Sequence, residues 1–490
     1  MSPTNLPLTG RWPAVFFLSL FVRLLMSQAS VPPPFDNVLN LDGPGTTASG
    51  DYDPETGTVT LTATSGTPYL WSSIQGDFIL RAEVDWAGEA PAGAEAGWAV
   101  RDHLGPDAPS VTGSIGPDKG ATLASGDRRV KATTGPVDVI ELSRLGDTFR
   151  LRTAAWGQPL DTVDLPGISL RNEAFVGVYV RGAGATVRFR NVRIVRPAPA
   201  DLTPYRDYLG SRLEILDLET GVRKVIHTSA HSLQAPNWTP DGEQLIFNSN
   251  GFLYTYALGT GEIRTLNTGP QISNNNDHVL SPDGSLLGIS SHVAAEDGAS
   301  TIFVLPVAGS DAPQRVTLPD AGHSYLHAIS PDKRTVIFTG QRNGKFDIWA
   351  ADIETGAETQ LTDTPGLDDG PEYSPDGKYI YFNSTRSGMM QLWRMDADGG
   401  NPVRLTHDDA SNDWFPHPSP DGQRLIWISF GTDVDPAEHP FYKHVTLRTM
   451  PIGGGEPRIV AYLYGGQGSI NVPSWSPDGT KVAFVSNTAN

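Results

Sequence analysis

A Pro-Asp turn that recurs through the second half of the chain constrains the fold more than any other feature of the sequence. The dipeptide begins at Pro240, Pro282, Pro331, Pro375, Pro420 and Pro477. Gly follows the Asp in five of the six turns, and Lys333 takes that place in the third. Successive turns lie 42 to 57 residues apart, which is the length of one four-stranded propeller blade. The spacing therefore predicts a ring of six blades.

The two ends of this repeated region indicate how the ring closes. The last turn is followed by a single alternating segment, Lys481–Val485, so the final unit supplies two of its four strands. Two more alternating segments, Leu213–Leu218 and Val222–Ile226, precede the first complete unit. Pairing them with the C-terminal strand completes the sixth blade and removes an exposed sheet edge.

The repeats resemble a known propeller family. The units that carry the resemblance are SPDGKYIYFNS, SPDGQRLIWIS and WSPDGTKVAFVSN, and they are similar to the TolB-like propeller repeat. The resemblance covers about residues 207–490 and implies the fold more strongly than an activity. It implies relatives among periplasmic Tol partners, the side domains of peptidases and the oligogalacturonate-type lyases.

Residues 30–196 predict a separate β-sandwich ahead of the propeller, because apolar and polar residues alternate between Gly- and Pro-rich turns. The segments Gly97–Arg101, Ile140–Arg144 and Phe189–Ile194 resemble the concanavalin-like jelly rolls found beside bacterial carbohydrate enzymes. The Tol partner has an α/β front domain instead, which disfavours a role in the Tol complex. Residues 197–206 are the predicted linker. The expected fold class is all-β: an N-terminal β-sandwich (jelly roll) followed by a six-bladed TolB-like β-propeller.

The N-terminus and the composition predict export. Residues 1–29 contain an apolar run and end in Ser-Gln-Ala, as a cleavable signal peptide does, and an uncleaved anchor is the alternative. The chain has no cysteine, which excludes disulfides and thiolate metal sites. Its formal net charge of -19 disfavours nucleic acid as a partner. We expect a periplasmic or secreted bacterial monomer with no membrane span after signal cleavage.

Candidate functional residues gather at one mouth of the predicted channel. Residues just before each Pro-Asp turn and just after each second strand share one rim, because the second strand returns antiparallel to the first. Eight of the eleven histidines lie in these segments or in the insertion before the last turn. The predicted substrate-binding residues are Gln234, Asn276, Arg342, Asp369, Trp414, Gln467 and Asn471.

The same rim predicts catalytic and metal-binding groups. The predicted catalytic residues are His278, His327, Tyr325 and Arg386. The predicted metal ligands are His292, His323, His417, His439 and His444. Neutral imidazoles bind divalent metals, so the candidate cofactor is Mn, Ca or Zn, and otherwise none.

Each group also has a structural interpretation. A histidine on the innermost strand can line the channel without binding a ligand. His417 lies three residues before its turn and should face away from His278 unless the strand is bulged. Arg386 can simply brace the hairpin that ends its strand.

Two functional hypotheses follow. Arginine pairs with carboxylates, and a histidine or tyrosine base can start β-elimination on a uronic-acid sugar. The first hypothesis is therefore a carbohydrate-active enzyme, a polysaccharide lyase or glycoside hydrolase, similar to the oligogalacturonate-type lyases. The chain lacks a tight Gln-x-x-His-x-His run, so no ligand set transfers residue by residue. The alternative is a non-catalytic propeller of the cell envelope that binds a glycan, another small polar ligand or a protein.

Overall fold

The computed structural model describes residues 34–41, 49–118, 120–133 and 135–489, and their regular secondary structure is almost entirely β. The predicted signal peptide, residues 1–29, lies outside them. Across the described ranges, no helix has the length and apolar character needed to cross a membrane.

The N-terminal region contains fourteen strands among the described residues. They are β1 (Asn37–Asn40), β2 (Ser49–Asp53), β3 (Thr58–Thr62), β4 (Pro68–Gln75), β5 (Phe78–Trp86), β6 (Glu95–Arg101), β7 (Ser110–Ile115), β8 (Ala121–Ser125), β9 (Arg128–Thr133), β10 (Val139–Leu145), β11 (Thr148–Ala154), β12 (Asp161–Leu165), β13 (Glu173–Arg181) and β14 (Thr186–Val195).

These strands form two antiparallel sheets. The first has the order β1-β4-β13-β6-β7-β8-β9, and the second has the order β12-β11-β10-β5-β14-β3-β2. Alternate side chains of both sheets meet in one core, where Leu80, Trp98, Phe149, Val178 and Phe189 are fully buried. The period-two pattern thus produces the predicted sandwich. Its assignment as a jelly roll stays a prediction.

The rest of the described chain contains twenty-three strands and one short 3₁₀ helix, Ala294–Glu296. The strands are β15 (Gly210–Asp217), β16 (Arg223–Ser229), β17 (Gln234–Trp238), β18 (Gln244–Ser249), β19 (Phe252–Ala257), β20 (Ile263–Thr265), β21 (Asn274–Leu280), β22 (Leu286–Val293), β23 (Ala299–Pro306), β24 (Gln314–Arg315), β25 (Ser324–Ile329), β26 (Thr335–Arg342), β27 (Lys345–Asp352), β28 (Glu358–Gln360), β29 (Asp368–Tyr373), β30 (Tyr379–Ser387), β31 (Met389–Asp396), β32 (Val403–Arg404), β33 (Ser411–Pro418), β34 (Arg424–Gly431), β35 (Lys443–Pro451), β36 (Arg458–Gly465) and β37 (Lys481–Thr488).

These strands form a six-bladed propeller, as the repeats predict. Blades one to five are β17–β20, β21–β24, β25–β28, β29–β32 and β33–β36. In the sixth blade, β15 pairs along its whole length with the C-terminal β37 and on its other edge with β16. An isolated β-bridge between Trp475 and Val482 of β37 adds the innermost strand position of this blade. The predicted closure of the ring is confirmed.

The Pro-Asp turns owe their repetition to a shared hydrogen-bond pattern. In all six turns the Ser or Thr before Pro donates its hydroxyl proton to the Asp carboxylate at 2.5–2.7 Å. The same carboxylate accepts a backbone N–H, as from Lys378 to Asp376 at 3.2 Å. Gly284 has a φ of +69°, and a Cβ there would lie 2.9 Å from Pro240 Cγ of the neighbouring turn. Glycine therefore meets both a conformational and a steric demand.

A β-bulge precedes the turn in each of blades one to five. In blades one, four and five the fifth residue before Pro is left-handed, with φ of 53° at Ala235, 61° at Gly370 and 58° at Phe415. In blade two the bulge spans residues 275–277, and in blade three it contains His327. The innermost strands therefore present different residues to the channel at the same distance from their turns.

The sandwich packs directly against the closing side of the propeller. Fully buried Glu141 of the sandwich bonds Arg81 and Arg152 as well as His444 of the propeller. The predicted linker also docks, because Ala198 donates its N–H to Tyr464 Oη at 3.0 Å. The domain boundaries stay a prediction.

We expect Glu214→Gln to destabilise the propeller by about 3–5 kcal/mol, because Arg193 and Arg223 would lose the buried carboxylate that they share. Calorimetry of the propeller transition measures the loss. The matched control is Glu219→Gln on the exposed neighbouring turn, which should leave that transition unchanged. Equal melting temperatures for the two variants would contradict the proposed importance of this contact.

Candidate binding cavity

A cavity of about 540 Å³ lies at the end of the propeller where the innermost strands begin. Eight of its lining residues carry side-chain amides: Gln234, Asn248, Asn250, Asn274, Asn275, Asn276, Gln467 and Asn471. Six carry aromatic rings: Tyr205, Tyr208, Tyr325, Phe346, Phe415 and Phe441. Its volume falls in the range of small-ligand sites.

The structure brings nine of the sixteen predicted site residues to this cavity. They are Gln234, Asn276, His292, Tyr325, His327, Asp369, His439, Gln467 and Asn471. Seven do not line it: His278, His323, Arg342, Arg386, Trp414, His417 and His444.

The expected position of His278 is corrected. It has the same distance to its turn as His327, but in blade two the strand ladder resumes at His278, opposite Ile289. The ring therefore packs against blade one, where Nε2 lies 3.4 Å from the Ile246 carbonyl. Burial lowers the pKa of His278 to about 4, so it is a neutral packed residue.

His417 and Trp414 of blade five are also enclosed. His417 bonds the Glu372 carboxylate at 2.6 Å through Nδ1 and the Ile470 carbonyl at 2.9 Å through Nε2. Trp414 is fully buried and contacts His439 from behind, with ring centroids 4.4 Å apart. Both residues support the cavity wall without forming its surface.

The two predicted arginines are held by carboxylates of their own blades. Arg342 forms two hydrogen bonds with Glu358, at 2.9 and 2.7 Å. Arg386 bonds Asp368 at 2.8 Å, and its guanidinium lies over the Phe382 ring. Because both guanidinium groups are already bonded to these carboxylates, neither arginine is placed to bind a ligand carboxylate.

His323 and His444 lie elsewhere. His323 accepts the Ser300 N–H at 3.1 Å and stacks beside Tyr325. His444 lies 2.9 Å from Glu141 of the sandwich, at the domain interface. The insertion that carries His439 and His444 therefore brings only its first histidine to the mouth.

Two groups of polar contacts lie in the cavity wall, one around His327 and Asp369 and the other around His439 and Gln467. His327 Nε2 lies 3.4 Å from Asp369 Oδ1, which also accepts the Thr339 hydroxyl proton at 2.5 Å. Burial opposes charge on both groups, but their mutual attraction raises the pKa of His327 and lowers that of Asp369. His439 Nδ1 bonds Gln467 at 2.6 Å, while burial lowers its pKa.

Asp277 is the central residue that sequence reasoning missed. Its side chain is 6 % exposed, and no described residue donates a hydrogen bond to its carboxylate. Burial raises its pKa to about 7; nearby His327 opposes the shift and Asp369 adds to it. The bulge in blade two turns Asp277 toward the cavity. The polar run Asn274–Asp277 was the available indication.

Aromatic residues from outside the blade repeats were also missed. Tyr205 and Tyr208 belong to the segment that joins sandwich and propeller, and their rings contact Phe441 of the insertion at 5.2 and 5.7 Å. Both tyrosines remain partly exposed. The mouth is thus covered by two segments that are distant in sequence.

The metal prediction has no matching arrangement in the described part of the chain. No group of three or more His, Asp or Glu side chains there could hold an ion. Of the five predicted ligands only His292 and His439 line the cavity, and His417 and His444 are each paired with a glutamate. The donor set therefore does not fit a metal centre, and metal binding stays a prediction.

Asp277→Asn should stabilise the protein increasingly as the pH rises. The carboxyl of Asp277 has a pKa near 7 in the folded protein and an ordinary value of 3.8. Below pH 3.8 it is protonated in both the folded and the unfolded chain, so its burial carries no penalty. As the pH rises toward 7 the unfolded chain loses this proton first, and the free energy of unfolding therefore falls. Asparagine does not titrate, so its advantage over Asp277 should grow by about 1–3 kcal/mol between pH 5 and pH 7.5. Urea unfolding at each pH measures it.

The control is Asp409→Asn, which removes an exposed carboxylate and should show no such trend. A constant difference between Asp277→Asn and the parent at all pH values would show that Asp277 titrates normally.

Comparisons with known proteins agree with the geometry. A family model described as the TolB beta propeller domain matches residues 319–434. An uncharacterized protein of Agrobacterium fabrum is 44% identical over 278 residues, which are 56% of this chain and 92% of that protein.

Solved structures show the same relationship. A candidate TolB from Agrobacterium tumefaciens is 42% identical, with a TM-score of 0.54, and 58% of this chain covers all of it. An oligogalacturonate lyase in complex with manganese is 16% identical, with a TM-score of 0.34, over 55% of this chain and 74% of that one.

Proposed function

The chain belongs to the TolB-like β-propeller family, and from the cavity at its propeller mouth we propose that it binds a short glycan there without cleaving it. The observation that carries the proposal is the lining: eight amides and six aromatic rings, with no Lys or Arg among the lining residues. Amides bond sugar hydroxyls as donors and acceptors, and aromatic faces pack against the apolar faces of pyranose rings.

Two amide atoms in this wall support a ligand-binding role. Asn276 Nδ2 and Asn274 Oδ1 are buried and have no hydrogen-bond partner among the described residues. Buried polar atoms are rarely left unpaired, because an unpaired group costs about 1–3 kcal/mol. Both atoms have almost no accessible surface, so either side chain would have to rotate before a ligand hydroxyl could pair with it.

The charge of the wall argues against a uronic-acid ligand. A uronate carboxylate needs a cation, and the two arginines expected for this purpose are paired with Glu358 and Asp368. The lining carboxyl groups of Asp277 and Asp369 supply no positive charge in their place. We therefore favour a glycan without a carboxylate.

Catalysis is the second candidate, and the opposite pKa displacements of two lining carboxyls favour it. Burial raises the pKa of Asp277, whereas His327 outweighs burial at Asp369 and lowers its pKa. Such a pair can divide acid and base roles in glycoside hydrolysis. Incubation with glycans followed by detection of new reducing ends separates the candidates, since a binding protein forms no product.

We also propose that the protein works as a monomer in the bacterial periplasm or outside the cell. The support is the signal-like pattern of residues 1–29. N-terminal sequencing of the exported protein and its elution volume in size-exclusion chromatography test the two parts.

Asn276→Ala should weaken glycan binding about tenfold or more while the protein stays folded, because it removes an amide donor and acceptor from the wall. Isothermal titration calorimetry with a panel of neutral oligosaccharides measures the change. The matched control is Gln423→Ala, in the Pro-Asp turn at the far end of blade five, which should keep parental affinity. Equal affinities for both variants would contradict the cavity as the binding site.

A further inference from the structure

The wall of the mouth cavity contains a buried carboxylate without a partner. Asp277 is more than nine-tenths buried, lines the cavity and receives no hydrogen bond to its side chain from the described residues. The backbone N–H of Asp277 is bonded to Asn275 Oδ1, which fixes the bulge on which the carboxyl stands. An unpaired buried carboxylate is unfavourable, and a cation in the cavity would relieve the cost.

The surrounding protein offers one candidate cation, the imidazole of His327. The ionisable groups that face Asp277 are His327, Asp369, Tyr325 and Tyr205. Burial raises the pKa of both tyrosines, so they are neutral. The imidazole of His327 is directed at Asp369, with Nε2 3.4 Å from Oδ1. No cation among these groups is therefore directed at Asp277.

The rest of the lining suits an organic cation. Tyr205 and Tyr325 lie near Asp277, and Phe346 packs beside Tyr325 with centroids 6.3 Å apart. Aromatic faces attract ammonium groups, and a neighbouring carboxylate adds to this attraction. A ligand with a net negative charge would meet two carboxylates and no free arginine.

We infer that the glycan bound in this cavity carries a free primary amine, and that its ammonium group pairs with the carboxylate of Asp277. This inference rests on the proposed glycan-binding function and narrows it to amino sugars. Amide oxygens of the wall accept the remaining ammonium protons, and the aromatic rings enclose the charge.

The test compares three β-1,4-linked disaccharides that differ only in the substituent at C2 of each ring: glucosamine disaccharide, its N-acetylated form and cellobiose. Calorimetry at pH 7 should show the free amine binding about tenfold or more tightly than either neutral sugar. Asp277→Asn should remove this preference and leave the affinity for the neutral sugars unchanged or higher. Asp409→Asn, an exposed substitution, should keep the preference, and circular dichroism confirms that each variant is folded.

The outcomes separate the two proposals. Equal binding of all three sugars to the parent protein, or an amine preference that survives Asp277→Asn, would overturn the ammonium inference and leave glycan binding intact. If none of the three sugars binds, both proposals fail. A preference for the amine that disappears only in Asp277→Asn would support both.

Discussion

The closure of the ring by β15 and β37 is the constraint on which the rest of the structure depends. Glu214 of β15 is fully buried and accepts hydrogen bonds from Arg193 of the sandwich, Arg223 of β16 and Ser486 of β37. One carboxylate therefore joins three strands of the closing blade to the neighbouring domain. Because the sandwich is fixed there, the segment that leaves it carries Tyr205 over the mouth. Closure and cavity are thus parts of the same arrangement.

The bulges in the innermost strands determine which side chains the cavity receives. A bulge changes the direction of the residues before it without changing their distance from the turn. In blade two it faces Asp277 to the cavity and His278 to the adjacent blade, whereas in blade three it leaves His327 in the lining. Left-handed Ala235 and Phe415 mark the equivalent kink in blades one and five. Local backbone geometry therefore gives similar repeats different surfaces.

The electrostatic character of the mouth follows from which charges are already paired. Arg342 and Arg386 each lie between a carboxylate and aromatic rings of their own blade, so their charges are paired within the blade and not in the cavity. The channel keeps Asp277, together with the coupled pair Asp369 and His327. The wall is amide-rich and aromatic and has no Lys or Arg among its lining residues, which is consistent with the proposed neutral or cationic polar ligand. Counting charged residues near the rim could not reveal this, because pairing removes most of them from the site.

The sequence by itself determined the architecture. Six Pro-Asp turns at blade-length spacing, with half a blade at each end, fixed the number of blades and the closing pair β15 and β37, since the turn chemistry and period are local properties. It also located the rim, and Gln234, Tyr325 and His327 reach the cavity as expected. Only the tertiary structure decided that His278 faces inward to a blade and Asp277 to the cavity. The directions of these side chains depend on strand bulges and on ion pairs between distant segments, and neither can be predicted from spacing along the chain.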